Sequence, residues 1–585
     1  MTDSAERLLD GLDEQQRSAA ETLLGPVRVL AGAGTGKTRA ITHRIAYGVA
    51  SGVYAPNRVM ALTFTARAAS ELRSRLRHLG AGPVVARTFH SAALSQLSYF
   101  WPLTVGGTAP RVLDGKARVL GQAAERLRIK VDTATLRDIA AEIEWRKVSA
   151  MSIEDYAKAL QRPPGWTGPT RETPGKLTAE QAIDLHRTYE TLKDERKQID
   201  FEDVLLVTAG MIEAEPSVAM HVHEQYRFFV VDEYQDVSPL QQNLLDLWLG
   251  ERRDLCVVGD ASQTIYSFAG ASSSFLLDFG SRYPDAALIR LEQNYRSSVP
   301  IVDTANRLMR GRPGSLTLHA VTQATPAPGI TSDIPAISAH ATDLAEARAV
   351  ATDIRSAIDR GAAPESMAIL YRINVQAAAL ENALNEVDVS YQIRGAKRFF
   401  DLPEVKQAVL TLRGASVSVM GEPLFKSVSD VLRSLGWTEQ APQARGAVRD
   451  RWEALNAIMG LADQAVPGTT FRRFTDELLE RQAAQHEPTL SAVTLATVHS
   501  AKGLEWDAVY LIGLSEGLLP ISYATNFDQV DEERRLFYVG ITRARRRLWL
   551  SWARRVAQRS GEVEPSRFLA ELGSRSPGVA GVRVR

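Results

Sequence analysis

The 585-residue sequence contains one cysteine, Cys256, which excludes an intrachain disulfide and a cysteine-based zinc module. Its ten histidines are too few and too scattered to predict a metal cluster. No apolar run approaches the ~20 residues that cross a bilayer. Met1–Leu9 (MTDSAERLL) carries acids and no apolar core, so neither a membrane span nor a secretory signal is expected. An excess of either charge is also missing: 69 Lys and Arg balance 69 Asp and Glu. That excludes a polycation that coats polyanions by bulk charge, and any grip on one must come from a local site. Neither a solenoid repeat nor a low-complexity tract interrupts the chain. What remains, 45% hydrophobic and 24% charged, is the composition of ordinary folded protein. At about 150 residues per domain, the length predicts roughly four domains. A soluble, cytoplasmic, multidomain protein is the expectation.

Several short aliphatic or β-branched runs end in a turn or a polar cluster, the pattern of parallel strands buried on both faces. They are Val27–Leu30, Val59–Phe64, Phe228–Val231 and Leu255–Val258, then Met367–Tyr371, Ala508–Gly513 and Leu548–Trp552. Helical periodicity lies between them, as at Ala66–Leu79 and Leu344–Ile358. This alternation predicts α/β sheets of parallel order, in two groups and hence two domains. Two stretches depart from the rhythm. Asp114–Gln198, broken by a Pro/Gly patch at Pro163–Gly175, and Leu410–Gln485 read as helical insertions. Arg312–Pro335 reads as a surface loop or strand-edge segment, and Ser574–Arg585 as a frayed end.

Between the first strand and the first long helix stands Ala31-Gly32-Ala33-Gly34-Thr35-Gly36-Lys37-Thr38. Small residues there let backbone N–H groups curl around a phosphate at a helix N-terminus, Lys37 adds charge, and the Thr38 hydroxyl can ligate magnesium. Glycine is usual where Ala31 stands. A second strand, Phe228–Val231, ends in Asp232 and Glu233, suited to holding Mg2+ and to orienting and deprotonating a water. Together the two segments imply a nucleoside triphosphate and nothing finer. Isolated, the acids would read as solvated carboxylates after a strand, and any single arginine as surface charge.

Further segments carry a resemblance. LDEQQRSAA (Leu12–Ala20) precedes AGAGTGKTR; ALTFTARAASELRSRL (Ala61–Leu76), TFHS (Thr88–Ser91), DFED (Asp200–Asp203) and VVDEYQDVSPLQ (Val230–Gln241) follow. Then come VVGDASQTIYSFAGA (Val257–Ala271), LEQNYRSS (Leu291–Ser298), AILYRINVQ (Ala368–Gln376) and VTLATVHSAKGLEW (Val493–Trp506). EERRLFYVGITRARRRL (Glu532–Leu548) and PSRFLAEL (Pro565–Leu572) close the series. In content and order they resemble the UvrD/PcrA/Rep-like superfamily 1 DNA helicases. The resemblance implies two RecA-like P-loop domains of α/β class, each a parallel sheet with a mainly helical insertion. Residues 1–105 and 200–290 would form domain 1A and 106–199 its insertion 1B. Residues 291–405 and 490–573 would form 2A, 406–489 a short insertion 2B, and 574–585 a flexible tail.

The resemblance also implies roles. ATP and Mg2+ are the cofactors. Gln16 would read the adenine edge, with Tyr295 stacked on the ring, Arg39 near the base and Glu505 on the ribose. The loop from Ala31 to Thr38 would hold the phosphates, Lys37 assisting catalysis; Thr38 and Asp232 would hold the metal and Glu233 activate water. Gln263 would sense the γ-phosphate, and Arg296 and Arg543 would act as arginine fingers from the second domain, closing a cleft around the nucleotide. Phe64, Tyr266 and Phe268 resemble the aromatics on which single-strand bases stack. His90, Arg372 and His499 match positions near the strand's backbone or in the relay to the ATP site. On pattern alone Phe64 fits a core position equally well, Tyr266 and Phe268 a packed interface, and the histidines a structural role. The arginine clusters Arg73, Arg75, Arg77 and Arg543, Arg545, Arg546, Arg547 read as solvated faces, internal ion pairs or a focus of charge for nucleic acid.

The implied activity is an ATP-dependent helicase moving 3′ to 5′ on single-stranded DNA and unwinding tailed or forked duplex. It would serve repair, replication or recombination, in the cytoplasm with the nucleoid, beside repair or replication proteins and with no membrane. The alternative is a translocase that strips proteins from single strands and unwinds little. It is motivated by the short second insertion and by the lack of the family's C-terminal extension. Where the family has tryptophan and arginine this chain has Phe268 and Ala269, which keeps stacking and loses one ionic or strand contact. A P-loop enzyme of small-molecule metabolism or a nucleotide-gated scaffold is the more distant rival.

Overall fold

Strands whose side chains are apolar on both faces must be covered on both faces, and the computed structural model of the chain carries this out twice. It describes residues 5–163, 166–169, 171–175, 177–321, 327–330, 334–394, 400, 402–418, 422–440, 447–463, 465–466, 468–484, 491–556 and 561–573. The expected tail at 574–585 lies outside them. The chain divides into two compact units. One holds Met1–Gly32, Gly36–Glu292 and Pro313–Leu316; the other holds Ala33–Thr35, Gln293–Arg312 and Thr317–Arg585.

In the first unit, β1 (Val27–Ala31), β2 (Val59–Thr63) and β3 (Val85–Thr88) are followed by a small pair, β4 (Arg111–Val112) and β5 (Gln198–Ile199). Then come β6 (Phe228–Val231), β7 (Leu255–Gly259) and β8 (Ala287–Leu291). The main sheet has the order β3-β2-β6-β7-β1-β8, and each of its pairings is parallel. Alternate residues feed two cores. Leu30, Met60, Leu62, Phe229, Val231, Leu255 and Val257 belong to one. Val27, Val29, Val59, Ala61, Phe228, Val230, Cys256 and Val258 belong to the other. Each Val, Leu, Met or Phe among them contributes about 1.5–3 kcal/mol by leaving water.

Helices Ala117–Arg126, Thr133–Val148, Ile153–Gln161 and Ala179–Glu195 lie in the first insertion, around their own core of Val119, Leu120, Ile139, Ile143, Leu185 and Tyr189. Two buried lysines tie this bundle to the sheet domain. Lys147 Nζ donates to Asp200 Oδ2 (2.7 Å) and Asp203 Oδ1 (2.6 Å), and Lys193 Nζ to Asp200 Oδ2 (3.2 Å). The same two aspartates form the capping box of helix Phe201–Ala214, so one carboxylate pair both starts a helix and anchors the bundle.

In the second unit, β9 (Gln293–Asn294) pairs with β10 (His319–Ala320). The main sheet is built from β11 (Ala336–Thr342), β12 (Met367–Tyr371), β13 (Tyr391–Arg394), β14 (Val493–Thr497), β15 (Trp506–Leu511) and β16 (Ala544–Arg555). Its order is β11-β16-β15-β12-β14-β13, again parallel at each pairing. Met367, Ile369, Val493, Leu495, Ala508 and Tyr510 pack on Val350, Ile354, Leu380 and Leu384 of the covering helices. Helices Pro403–Ser418, Leu424–Ser434, Ala447–Asp463 and Phe471–Ala484 enclose a separate core of Val405, Leu412, Val428, Leu432, Ile458 and Phe474. No helix among the described residues is long and apolar enough to cross a membrane.

The expected α/β class with two parallel sheets is what the structure contains. Some strand limits differ. Leu548–Trp552 widens to Ala544–Arg555 because the arginines at its start are paired: Arg546 Nη1 with Asp507 Oδ2 (3.5 Å), Arg547 Nη1 with Asp353 Oδ2 (2.8 Å), and Arg545 with Glu505. Ala508–Gly513 shifts to Trp506–Leu511. Strands β3, β11 and β13 carry no recognisable apolar run, and β8 only the short Ala287–Ile289; all four are sheet edges, where one side of the strand lacks a neighbour and polar side chains are tolerated. Interior β14 was legible only as part of the VTLATVHS segment.

One buried acid gives a pH signature. Glu346 is 2% exposed; its Oε1 accepts from Gly513 N (3.0 Å) and Ser551 Oγ (2.6 Å). Burial outweighs these bonds and lifts the carboxyl from 4.5 to about 7. Below pH 4.5 folded and unfolded chains both hold the proton. Between 4.5 and 7 only the folded chain does, so stability falls as pH rises, then levels off. Glu346→Gln removes this loss. Its Tm should match the parent's near pH 5 and exceed it by about 5 °C at pH 8 in thermal scans; equal Tm at both pH values would contradict a protonated Glu346.

Candidate nucleotide and nucleic-acid site

The C-terminal edge of a parallel sheet collects strand ends and helix N-termini, and there this fold places most of its chemistry. After β1 the chain turns through Gly34 (φ 73°) and Gly36 (φ 79°) into helix Lys37–Ala50. A side chain on Gly36 is excluded twice, by its left-handed φ and by Gln16, whose Nε2 would sit 2.7 Å from the added Cβ. Gln16 is thus buried against the loop, its own N–H donating to Asp13 Oδ1 (2.7 Å). Arg39 Nη2 donates to Gly11 O (3.0 Å).

After β6, Asp232 is buried and Glu233 adopts φ 53°, a conformation that costs about 1 kcal/mol outside glycine. The turn brings Glu233 Oε1 to 3.4 Å from Lys37 Nζ. Burial, then the Glu233 charge, pushes Asp232 up to about 7 against the pull of Lys37. A hard divalent cation would offset that cost, and Mg2+ takes one or two carboxylates with phosphate oxygens and water. Asp232 and the Thr38 hydroxyl fit such an ion. Among the described residues no group of three or more His, Cys, Asp or Glu suits a metal.

A polar chain links this acid pair to the end of β7. Gln235 Nε2 donates to Glu233 Oε2 (2.5 Å), and Gln235 Oε1 accepts from Asp260 N (2.9 Å). Asp260 Oδ2 in turn accepts from Gln263 Nε2 (2.7 Å). Burial raises the Asp260 carboxyl, with Lys37 and the Gln263 bond opposing. Lys37, Asp232, Glu233 and Gln263, four residues separated by up to 226 positions in the sequence, therefore meet in one unit. Gln235 and Asp260 carry the link and had no assigned role, although both lie inside the DEYQD and GDASQT segments; the Gln235 amide reaches across to the backbone N–H of Asp260, a contact that no spacing reveals.

The second unit brings together the remaining nucleotide candidates. Asn294 Nδ2 donates to Ala33 O (2.6 Å) and Tyr295 N to Gly34 O (2.9 Å). Arg296 Nη1 donates to Thr542 O (3.2 Å), and Arg543 Nη2 to Thr542 Oγ1 (3.1 Å), so both candidate fingers bracket one threonine. Arg543 is buried, its Nε on Val539 O (3.0 Å) and Nη1 on Leu504 O (3.1 Å). Glu505, expected on a ribose, is paired with Arg296 and Arg545. Burial pulls its carboxyl up, and the two guanidiniums hold it below the ordinary range. Tyr295 is exposed, with its hydroxyl on Gln293 Oε1 (2.9 Å).

Of the DNA candidates, Phe64 is half-buried and leans on Phe89 of the core, with ring centroids 6.4 Å apart. Phe268 is 63% exposed and meets Tyr266 edge-on at 6.1 Å. His90 stacks on Phe201 (3.9 Å, 10° between planes). Its Nε2 is buried with no hydrogen-bond partner among the described residues. Burial, then the Lys116 charge, lowers this imidazole to about 4. Phe201, 54% exposed at the start of its helix, is the aromatic that the DFED segment carried unassigned. In the second unit Arg372 is locked to Glu533, Nε to Oε2 at 3.0 Å and Nη2 to Oε1 at 2.8 Å. His499 is lowered to about 4 by burial and by the Arg372 and Lys502 charges. In the first arginine cluster all three side chains are exposed; Arg73 Nη1 bonds Ala86 O (2.6 Å) and Arg75 pairs with Glu71.

Residues 12–284 match the UvrD/REP helicase N-terminal domain, and residues 289–417 and 432–555 the UvrD-like helicase C-terminal domain. The chain belongs to the UvrD/REP helicase family. It is 47% identical to ATP-dependent DNA helicase UvrD2 of Mycobacterium tuberculosis (strain ATCC 25618 / H37Rv), across 97% of this chain and 82% of that protein. It is 29% identical to DNA helicase II of Escherichia coli (strain K12), across 97% and 88%, and 28% identical to ATP-dependent DNA helicase PcrA of Bacillus subtilis (strain 168), across 97% and 86%. Within this UvrD-like frame, Gln235→Leu should break the bridge while preserving volume. Turnover should fall about 10²-fold with nucleotide affinity little changed, checked by single-turnover hydrolysis beside equilibrium nucleotide binding.

Proposed function

We propose that this chain is an ATP-dependent DNA helicase that moves 3′ to 5′ along single-stranded DNA and unwinds tailed or forked duplex, in repair, replication or recombination. The observation that carries the reading is the unbroken polar chain from Lys37 through Glu233, Gln235 and Asp260 to Gln263, set at the strand ends of a P-loop sheet. It joins a phosphate-binding ammonium, a general base and a γ-phosphate sensor. The UvrD/REP membership and the DNA helicases it resembles supply the polymer.

In this reading Lys37 and the loop from Ala31 to Thr38 hold the ATP phosphates. Asp232 and Thr38 would hold Mg2+, which would supply positive charge to the phosphates. Glu233 orients water and accepts its proton, and Gln263 registers the γ-phosphate. Arg296 and Arg543 stabilise charge on the departing phosphoryl group, a role that can supply about 10³–10⁵ in rate. Gln16, Arg39 and Tyr295 hold the base, with Glu505 placing Arg296 as well as the sugar. Phe64, Tyr266 and Phe268 stack bases at about 1–3 kcal/mol each without regard to sequence; His90, Arg372 and His499 lie along the strand. The partners are DNA and repair or replication proteins, and the place of action is the cytoplasm with its nucleoid.

Lys37→Ala should abolish ATP turnover while single-strand binding stays near the parent's, and Arg543→Ala should keep ATP binding but lose hydrolysis. The parent should hydrolyse ATP faster with single-stranded DNA and release strands from a 3′-tailed duplex. ATPase indifferent to oligonucleotide would overturn the reading. Brisk stimulation without strand release would favour a translocase that strips proteins from DNA.

A further inference from the structure

Helix Lys37–Ala50 and the turn behind it grip the N-terminal segment by its backbone carbonyls. Arg44 Nη1 donates to Ala19 O (2.8 Å) and to Thr22 O, and Nη2 to Leu23 O (3.2 Å). Tyr54 OH donates to the same Leu23 O (2.7 Å). Farther along, Arg39 holds Gly11 O and His43 Nδ1 meets Leu8 O. Arg44 and Tyr54 are 2% and 3% exposed.

Of the carbonyls held by Arg44 and Tyr54, Ala19 lies in the last turn of helix Glu14–Glu21, Thr22 is its C-cap and Leu23 follows the cap. The last C=O groups of a helix have no partner within it and carry its negative dipole end. A buried guanidinium fork can satisfy several of them from one fixed direction. Tyr54 is seated with equal definition: a Cβ on Gly48 would lie 2.3 Å from its ring, and the ring packs on Phe228 at 4.3 Å between centroids. Glycine inside a helix costs about 1 kcal/mol, and here it makes room for the tyrosine. The helix so fixed carries Gln16, whose amide lies against Gly36 of the phosphate loop.

We infer that Arg44 and Tyr54 are positioning residues for nucleobase selection: they set the height of helix Glu14–Glu21 above the phosphate loop, so that the Gln16 amide meets adenine in register. The inference rests on Gln16 reading the base. Neither residue touches nucleotide; both act through the carbonyls of Ala19, Thr22 and Leu23. Selectivity between purines depends on donor–acceptor placement, and a helix free to slide by a fraction of an ångström presents that amide to adenine and guanine with less distinction.

The test is steady-state hydrolysis of ATP and of GTP by the full chain with saturating single-stranded DNA, for the parent, Gln16→Ala, Arg44→Met, Arg44→Lys and Tyr54→Phe. Arg44→Met should raise the KM for ATP about tenfold and Tyr54→Phe about threefold, with kcat near the parent's, as expected for loss of one or two charge-assisted or neutral hydrogen bonds. Both should move the ATP-to-GTP ratio of kcat/KM toward that of Gln16→Ala, and Arg44→Lys should recover part of it. A purely structural role would lower Tm and leave the ratio unchanged, which overturns the inference. An unchanged ratio in Gln16→Ala overturns the base reading as well. If the ratio collapses in Gln16→Ala yet holds in Arg44→Met and Tyr54→Phe, only the positioning role falls. Tyr54→Phe removes a single oxygen and carries the test where Arg44→Met does not fold.

Discussion

An ammonium 3.4 Å from a carboxylate, at the end of a sheet buried on both faces, is the constraint from which the first unit's chemistry follows. Lys37 and Glu233 are brought together by parallel strands β1 and β6, which β7 separates by one position in the sheet. The pair needs a rigid platform, because the φ of 53° at Glu233 persists only where the surroundings over-determine it. Two cores, one on each face, provide that rigidity. The Gln235 amide then spends its hydrogen bonds on Glu233 and on the backbone N–H of Asp260, and the Asp260 carboxylate accepts from Gln263, so Glu233 has few orientations left.

Much of this was legible in the sequence, for physical reasons that also explain the gaps. Interior strands such as Phe228–Val231 and Met367–Tyr371 must be apolar on both faces, and that constraint writes itself into four or five consecutive letters. Edge strands such as β3 and β11 obey a weaker rule and leave no such trace. The phosphate loop is readable because glycine at positive φ has few substitutes. Partners chosen across the fold are not: nothing in local spacing says that Glu505 would pair with Arg296 and Arg545, that Arg372 would be held by Glu533, or that His90 would stack on Phe201. The arginine-rich start of β16 was open between a polyanion contact and internal pairing, and the acids that decide it stand at Glu505, Asp507 and Asp353.

In the second unit the candidate residues sort by sheet edge. Glu505 precedes β15 and Arg543 precedes β16, at the N-terminal ends of those strands; Arg372 follows β12 and His499 follows β14, at the C-terminal ends. Since the strands are parallel, the proposed nucleotide and DNA residues occupy opposite edges of one sheet. Five residues of strand span about 17 Å, so no single side chain bridges the two. Any coupling between them within this unit must be carried by the sheet and its packed helices moving as a body.

The charge balance constrains the DNA contact itself. A chain with no net charge cannot hold a polyanion by its overall field, and the local candidates add little cation. His90 and His499 are neutral at pH 7 because burial and neighbouring positive charges hold both near 4. Arg372 spends its charge on Glu533. What is left on the proposed strand path is aromatic: half-buried Phe64 and Tyr266 and exposed Phe268. Stacking is indifferent to base identity and is weakened little by salt, whereas phosphate contacts each release counterions. A grip made mainly of rings can pass from base to base at similar energy, which is the property a protein moving along a strand of arbitrary sequence requires. A tight ring of arginines on phosphate would instead deepen each resting position and slow every step.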